Sequence, residues 1–135
     1  MDKFQKVDQY IADVFNLDDE VLTQVLENNR TNELPNHEIS AVQGQWLQLL
    51  IKTIHAKNIV EIGTLGGYST ICLARAIPSN GKIYTLEINE AYAEVAARNI
   101  THAGLSDRVE IRVGDALEQL NTLPNGQFDL VFMDA

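Results

Sequence analysis

The chain has 135 residues, of which 45% are hydrophobic and 21% charged, the balance of one globular domain. A formal net charge of −9 argues against a nucleic-acid partner, because phosphate recognition needs clustered lysine and arginine. A single cysteine, Cys72, excludes an internal disulfide and a cysteine-based zinc site. With no signal peptide and no apolar run near the ~20 residues of a membrane span, we expect a cytoplasmic protein without a membrane partner.

The first 56 residues predict a helical segment in front of the rest of the domain. Apolar residues at helical spacing predict one helix within residues 2–16 and a second one from Val21 onward, with a break near residues 16–19. Residues 1–33 carry 8 acidic and 3 basic side chains. We interpret this acidity as a solvated helix face, with an acidic docking surface as the alternative.

A loop and a third helix complete this segment. Residues 28–36 are rich in turn-forming side chains and are predicted to be the loop. Ser40 and Gln43 have the spacing of a capping box, in which each side chain bonds the other residue's backbone N–H. The predicted helix runs to about Ala56, and Trp46 is expected to be one of its core residues.

From residue 57 onward, strand patterns alternate with helix patterns. This alternation predicts right-handed βαβ units and a parallel sheet. Cys72 is expected to pack inside the first crossover helix, and Met133 to pack within the sheet. The predicted strands are 58–62, 82–87, 108–113 and 128–134, and the predicted helices are 68–77, 90–103 and 116–122.

The densest chemical signal is the glycine-rich turn that follows the first strand. Residues 60–70 read VEIGTLGGYST. Glycines let a backbone approach a ligand closely, and the following helix start offers unpaired N–H groups to an anion. The spacing differs from the G-x-G-x-x-G fingerprint of dinucleotide folds. A tight turn without a ligand is the alternative interpretation.

Two carboxylates limit which ligand fits this turn. Glu87 ends the second strand, 24 residues after Gly63, where an acidic side chain can accept hydrogen bonds from a ribose. Glu61 ends the first strand, and a pyrophosphate ~5 Å away would be repelled by about 3 kcal/mol at an effective dielectric of ~20. A ligand with a sulfonium and an ammonium is attracted instead, while its carboxylate can bind the N–H groups at Tyr68 and Ser69. S-adenosylmethionine has this charge pattern, and NAD does not.

Three further residues follow the third and fourth strands. Asp115 can accept a hydrogen bond from an adenine amino group and Ala116 N–H can donate to the ring, although Asp115 is equally placed to cap the next helix. Asp134 lies at the carboxyl end of the fourth strand. With strand order 3-2-1-4 this end flanks the switch point where ligands bind. A carboxylate there can hold a divalent cation, and a solvated aspartate is the alternative.

Together with the runs at 43–50, 56–69 and 132–135, these residues resemble the bacterial O-methyltransferases of the caffeoyl-CoA and catechol type over essentially the whole chain. The resemblance implies an α/β, Rossmann-like class I methyltransferase fold, with residues 57–135 forming the S-adenosylmethionine-binding part of a single domain. It also implies a role for each site residue. The Glu38–Ile39 backbone, Gly63, Tyr68 and Ser69 contact the methionine part of the donor, Glu61 lies near its amino group, Glu87 binds the ribose, Asp115 and Ala116 bind the adenine, and Asp134 binds Mg²⁺ or Ca²⁺.

The implied activity is methyl transfer from S-adenosylmethionine to a hydroxyl of a small aromatic, catechol-like acceptor, with a divalent metal, in a homodimer. The chain stops at Ala135, before the family's lysine base, remaining metal ligands and last strands, so we expect these 135 residues alone to be inactive. One alternative is a donor-binding or interaction module without catalysis. Another is a nucleotide-dependent oxidoreductase, against which the glycine spacing and Glu61 both count.

Overall fold

The computed structural model describes all 135 residues and contains six helices and four strands. The predicted boundary at residues 56 and 57 falls between the third helix and the first strand. No helix combines the length and the apolar character that crossing a membrane requires. In chain order the elements are α1 (Lys3–Phe15), α2 (Glu20–Thr31), α3 (Ala41–Ile54), β1 (Asn58–Ile62), α4 (Tyr68–Ala76), β2 (Lys82–Glu87), α5 (Glu90–His102), β3 (Val109–Val113), α6 (Ala116–Leu120) and β4 (Leu130–Met133).

The four strands form one parallel sheet with the order β3-β2-β1-β4, as the sequence predicts. β1 is central and pairs with both β2 and β4. After β1 the chain adds β2 and then β3 on one side of β1, and it then returns to add β4 on the other side. The direction therefore reverses between β1 and β4, and this reversal opens a crevice at the carboxyl ends of the strands.

The main core joins four helices to one face of the sheet. Its 16 buried residues come from α2, α3, α4, α5, the strands and the turns between them. Cys72 belongs to this core and is 1% exposed, which confirms the predicted packing role. A Cβ on Gly44 would lie 2.8 Å from the Cys72 sulfur, so α3 and α4 approach each other closely at this point. The opposite face carries a smaller cluster around Val60, Leu86 and Leu123.

The ends of the N-terminal helices follow local hydrogen bonding. The predicted capping box before α3 is confirmed, because Ser40 Oγ accepts from Gln43 N–H at 3.1 Å and Gln43 Oε1 accepts from Ser40 N–H at 2.8 Å. The predicted loop start at residue 28 is wrong, since α2 continues to Thr31. The side chain of Asn28 bonds to a partner on α5 rather than to its own backbone, which leaves the helix intact through this turn.

Two expected core residues lie on the surface. Trp46 is 61% exposed, because α3 buries Gly44, Leu47 and Ile51 and Trp46 lies on the opposite side of the helix. Met133 is 71% exposed. Side chains alternate along β4, so that alternate residues reach the main core while Met133 points to the less covered face.

We predict that the chain self-associates through residues 128–133. β4 pairs only with β1, and its Val131 is 60% exposed, so an apolar strand with unpaired backbone groups is open to another chain. Sedimentation at tens of micromolar should detect species heavier than a monomer. Val131→Lys should shift them toward the monomer, whereas Leu117→Lys, at an exposed apolar position outside β4, should not. A monodisperse, cooperatively folding wild-type monomer would contradict this expectation.

Candidate functional site

A cavity of about 490 Å³ lies at the carboxyl ends of the strands, at the switch point between β1 and β4. Its wall is built by the turns that follow the strands and by the loop between α2 and α3. Nine of the ten predicted site residues line it, and they are Glu38, Ile39, Gly63, Tyr68, Ser69, Glu87, Asp115, Ala116 and Asp134. The exception is Glu61, which is buried behind the wall.

Several residues that line the cavity were not predicted from the sequence. Ile88 and Tyr92 follow Glu87 and line the cavity beside it. His37 lines it from the loop before α3. Ile88 directly follows β2, and its position at the carboxyl end of a parallel strand is a signal that would have found it, whereas Tyr92 lies in the first turn of α5. His37 directly precedes Glu38, which the resemblance already assigns to the donor site, and this adjacency is the signal that would have found it.

The glycine turn begins at a position that no other residue type fits. Gly63 has φ +95°, and a Cβ there would lie 2.5 Å from the carbonyl oxygen of Asp134. The end of β4 is therefore packed directly on the turn, and this contact brings Asp134 to the cavity. A side chain at Gly63 would suffer both backbone strain and a collision.

α4 starts at the cavity with its backbone N–H groups uncapped. Gly67 precedes the helix at φ +86° and supplies no capping side chain. The first N–H groups of a helix lack intrahelical acceptors, and the helix dipole adds positive potential there. Tyr68 and Ser69 begin α4 and line the cavity, so this end of the helix suits a carboxylate. Burial raises the pKa of the Tyr68 hydroxyl to about 12, which keeps it neutral.

Glu87 is fixed by two backbone groups. Its Oε2 accepts from Leu65 N–H at 2.8 Å, and its Oε1 accepts from Asn89 N–H at 2.9 Å. The residue is 8% exposed and lines the cavity. Each carboxylate oxygen accepts more than one hydrogen bond, so both oxygens keep capacity for donors on a ligand. Glu87 thus offers a rigid pair of acceptors.

Glu61 is held by three hydroxyl groups behind the cavity wall. Its carboxylate accepts from Ser69 and Thr70 at 2.5 Å each and from Thr85 at 2.7 Å. Burial raises the pKa of Glu61 and the nearby Asp134 charge adds to the rise, while the three hydroxyl donors work against it. Ser69 is the member of this set that also reaches the cavity. The role of Glu61 near a donor amino group stays a prediction.

Asp115 is the N-cap of α6, which confirms the helix-start alternative. Its Oδ1 accepts from Leu117 N–H at 2.9 Å and from Glu118 N–H at 3.2 Å. Both bonds use the same oxygen, so Oδ2 is available to a ligand in the cavity that Asp115 lines. Capping and ligand binding are therefore compatible at this residue. The adenine contacts of Asp115 and Ala116 stay predictions.

Asp134 does not form a metal site with other residues of this chain. No group of three or more His, Cys, Asp or Glu side chains is arranged to hold a metal ion. Mg²⁺ and Ca²⁺ prefer six or more oxygen ligands, of which one carboxylate supplies at most two. The residues present therefore do not fit a complete divalent-metal site.

The chain matches the protein-family model described as O-methyltransferase over residues 12–135. The chain belongs to this O-methyltransferase family. The catechol O-methyltransferase of Niastella koreensis is 44% identical over 135 residues, which cover 98% of this chain and 61% of that protein. That of Mycobacterium tuberculosis is 47% identical over 129 residues, covering 96% and 59%. The chain thus spans about three fifths of the length of these relatives.

Solved structures share the fold. An O-methyltransferase from Bacillus cereus in complex with S-adenosylhomocysteine superposes with a TM-score of 0.91 at 48% identity, covering 96% of this chain and 60% of that one. An O-methyltransferase from Streptomyces achromogenes involved in tomaymycin synthesis, in complex with S-adenosylmethionine, gives 0.90 at 41% identity, covering 100% and 63%. The predicted Rossmann-like class I methyltransferase fold is confirmed.

We predict that Glu61→Gln makes folding stability less dependent on pH. A carboxyl whose pKa is raised in the folded state contributes to stability at pH values below its ordinary pKa of 4.5. This contribution is lost as the pH rises through the folded-state pKa. Glutamine removes the charge and keeps one acceptor oxygen for Thr70 and Thr85, while its NH2 group requires the Ser69 hydroxyl to accept instead of donate. Thermal unfolding should show the Tm of the wild type falling relative to that of the variant as the pH rises above 4.5. A constant difference across this range would contradict the raised pKa.

Proposed function

We propose that this chain forms the donor-binding part of an S-adenosylmethionine-dependent O-methyltransferase. The proposal includes a small aromatic, catechol-like acceptor and a divalent metal ion in the complete reaction. S-adenosylmethionine supplies an activated methyl group on a sulfonium sulfur. The residues of this chain would bind and orient that molecule.

The observation that carries the proposal is the distribution of charge around one cavity. The start of α4 suits an anion, whereas Glu87, Asp115 and Asp134 line the rest of the wall with carboxylates. No lysine or arginine lines the cavity. A dinucleotide would bring two phosphates to this acidic wall, whereas the donor brings one carboxylate and two positive groups.

Three parts of the cavity wall would each bind a different part of the donor. The uncapped N–H groups at Tyr68 and Ser69 would bind the donor carboxylate. Glu87 would accept from the ribose hydroxyls, because its two oxygens are already oriented by Leu65 and Asn89. Asp115 would accept from the adenine amino group through the oxygen that α6 does not use. Fixing the donor at three points aligns it for transfer, which is the main way such a site accelerates a two-substrate reaction.

The names of two relatives support the proposed acceptor class, and the position of Asp134 bears on the proposed metal. The curated relatives from Niastella koreensis and Mycobacterium tuberculosis are named catechol O-methyltransferases. Asp134 lies at the cavity, at the end of the strand next to β1, where a carboxylate would face both donor and acceptor. Because this chain alone forms no metal site, we assign no chemical step to a metal ion.

Calorimetric titration tests the donor assignment. S-adenosylhomocysteine should bind with release of heat that fits one site, and NADH should not bind. Tight binding of NADH with no response to S-adenosylhomocysteine would replace this function by a nucleotide-dependent oxidoreductase.

Transfer of a radiolabelled methyl group to a catechol, with and without Mg²⁺, tests the reaction itself. Binding without transfer would favour a donor-binding module.

We expect Glu87→Ala to weaken binding of S-adenosylhomocysteine by ~1–3 kcal/mol, the range for leaving polar partners unpaired. The variant removes both the ribose acceptors and the anchor of Leu65 N–H. Glu90→Ala is the matched control, because Glu90 is a nearby carboxylate on α5 that does not line the cavity. An unchanged Kd for Glu87→Ala with a native circular dichroism spectrum would sink the ribose assignment.

We expect the 135-residue chain to bind Mg²⁺ or Ca²⁺ weakly, with a Kd on the order of 10⁻³ M or above, since Asp134 is its single proposed ligand. Isothermal titration of each cation measures this directly. Asp134→Asn should remove any residual heat, whereas Asp107→Asn, a carboxylate away from the cavity, should leave it unchanged. Micromolar affinity would show that the chain builds a metal site from other groups.

A further inference from the structure

Two asparagines are buried behind the glycine turn, and neither lines the cavity. Asn29 on α2 and Asn99 on α5 are each 1% exposed. A buried amide without partners is costly, so each of these side chains needs a complete set of hydrogen bonds. The partners that they use connect both asparagines to the wall of the cavity.

Asn99 fixes one peptide of the glycine turn. Its Nδ2 donates to the carbonyl oxygen of Gly66 at 2.8 Å and to Asn29 Oδ1 at 3.1 Å. On the other side of the same peptide, Gly67 N–H donates to the carbonyl of Thr64 at 2.9 Å. The Gly66–Gly67 peptide is therefore held at both of its polar atoms. This peptide leads directly into the first residues of α4.

Asn29 contacts two separate walls of the cavity. Its Nδ2 donates to Glu38 Oε1 at 2.8 Å. A Cβ built on Gly66 would lie 2.0 Å from Asn29 Oδ1, so the amide rests directly on the turn. Asn29 thus bridges the turn after β1 and the loop that carries Glu38.

We propose that Asn29 and Asn99 are positioning residues of the donor site, which set the Gly66–Gly67 peptide and Glu38 in the arrangement that the donor binds. This inference rests on the proposed function for its consequence in binding. Through these contacts α2 is part of the donor site, although no residue of α2 lines the cavity.

A purely structural role would give the pair another task, that of fastening α2 to α5. A hydrogen bond between these helices that involves neither Asn29 nor Asn99 separates the two roles. Arg98 on α5 donates to Oδ1 of Asn32, the C-cap residue of α2, at 3.2 Å, and neither residue touches the turn. Arg98→Ala therefore loosens the same helix pair without affecting the proposed positioning.

The first experiment compares Asn99→Asp with Arg98→Ala in the full 135-residue chain. Aspartate keeps the shape of Asn99 but directs an acceptor oxygen at the carbonyl of Gly66. We expect amide hydrogen exchange across residues 64–70 to accelerate in Asn99→Asp while exchange in β2 and β3 stays unchanged. The Kd for S-adenosylhomocysteine should rise roughly tenfold or more. Arg98→Ala should change neither quantity.

The second experiment exchanges the polarity of one hydrogen bond. Asn29→Asp places a carboxylate against Glu38, and Glu38→Gln in the same chain supplies a donor that restores the pair. We expect Asn29→Asp alone to weaken S-adenosylhomocysteine binding roughly tenfold. In the Glu38→Gln background the same substitution should have little effect. Such non-additivity marks direct coupling between the two side chains.

These experiments can refute the positioning role of the asparagines and the proposed donor-binding function separately. If the wild type fails to bind S-adenosylhomocysteine, the proposed function falls, and exchange across residues 64–70 still decides whether the asparagines hold the turn. If the wild type binds but Asn99→Asp binds equally well with unchanged exchange, the positioning role is refuted. A uniform rise of exchange throughout α2, α5 and the sheet, equal in Arg98→Ala, would refute it as well and leave a structural role.

Discussion

There is no room for a side chain at either Gly63 or Gly66, and the site depends on this fact. The carbonyl of Asp134 lies against Gly63 from one direction, and the amide of Asn29 lies against Gly66 from another. The turn is therefore clamped between the end of β4 and helix α2. Because the clamp fixes where α4 begins, it fixes which N–H groups face the cavity. Because protein interiors are close-packed, an added side chain at such a contact would displace its neighbours.

Much of the fold follows from local pattern. The first three strands could be predicted to within one residue, because short apolar or β-branched runs stand out from the helices between them. The fourth strand is shorter than the predicted 128–134 and spans Leu130–Met133. The capping box at Ser40 could be predicted because both of its bonds join residues three apart. Trp46 and Met133 could not be placed, since their exposure depends on which face of α3 and β4 other elements cover. Helical periodicity identifies an apolar face without saying what packs on it.

The site divides in the same way. Gly63, Glu87 and Asp134 could be located because the carboxyl ends of parallel strands meet at one edge of the sheet. The burial of Glu61 and the asparagine pair behind the turn could not be predicted. Those contacts join residues far apart in sequence, such as Asn29 with Asn99, and they have no periodic signature. Asparagines at the end of a predicted helix read as loop formers until their tertiary partners are known.

The single thiol of the chain has a practical meaning beyond packing. Burial raises the pKa of Cys72 to about 11, and the sulfur lies at the close contact between α4 and Gly44 of α3. The thiolate is the form that reacts with alkylating reagents, so the buried, protonated thiol of the folded chain should react very slowly. Modification must wait until α3 and α4 separate. The rate at which Cys72 is alkylated therefore measures how often α3 and α4 separate. Because Cys72 is the single thiol of the chain, no added label is needed.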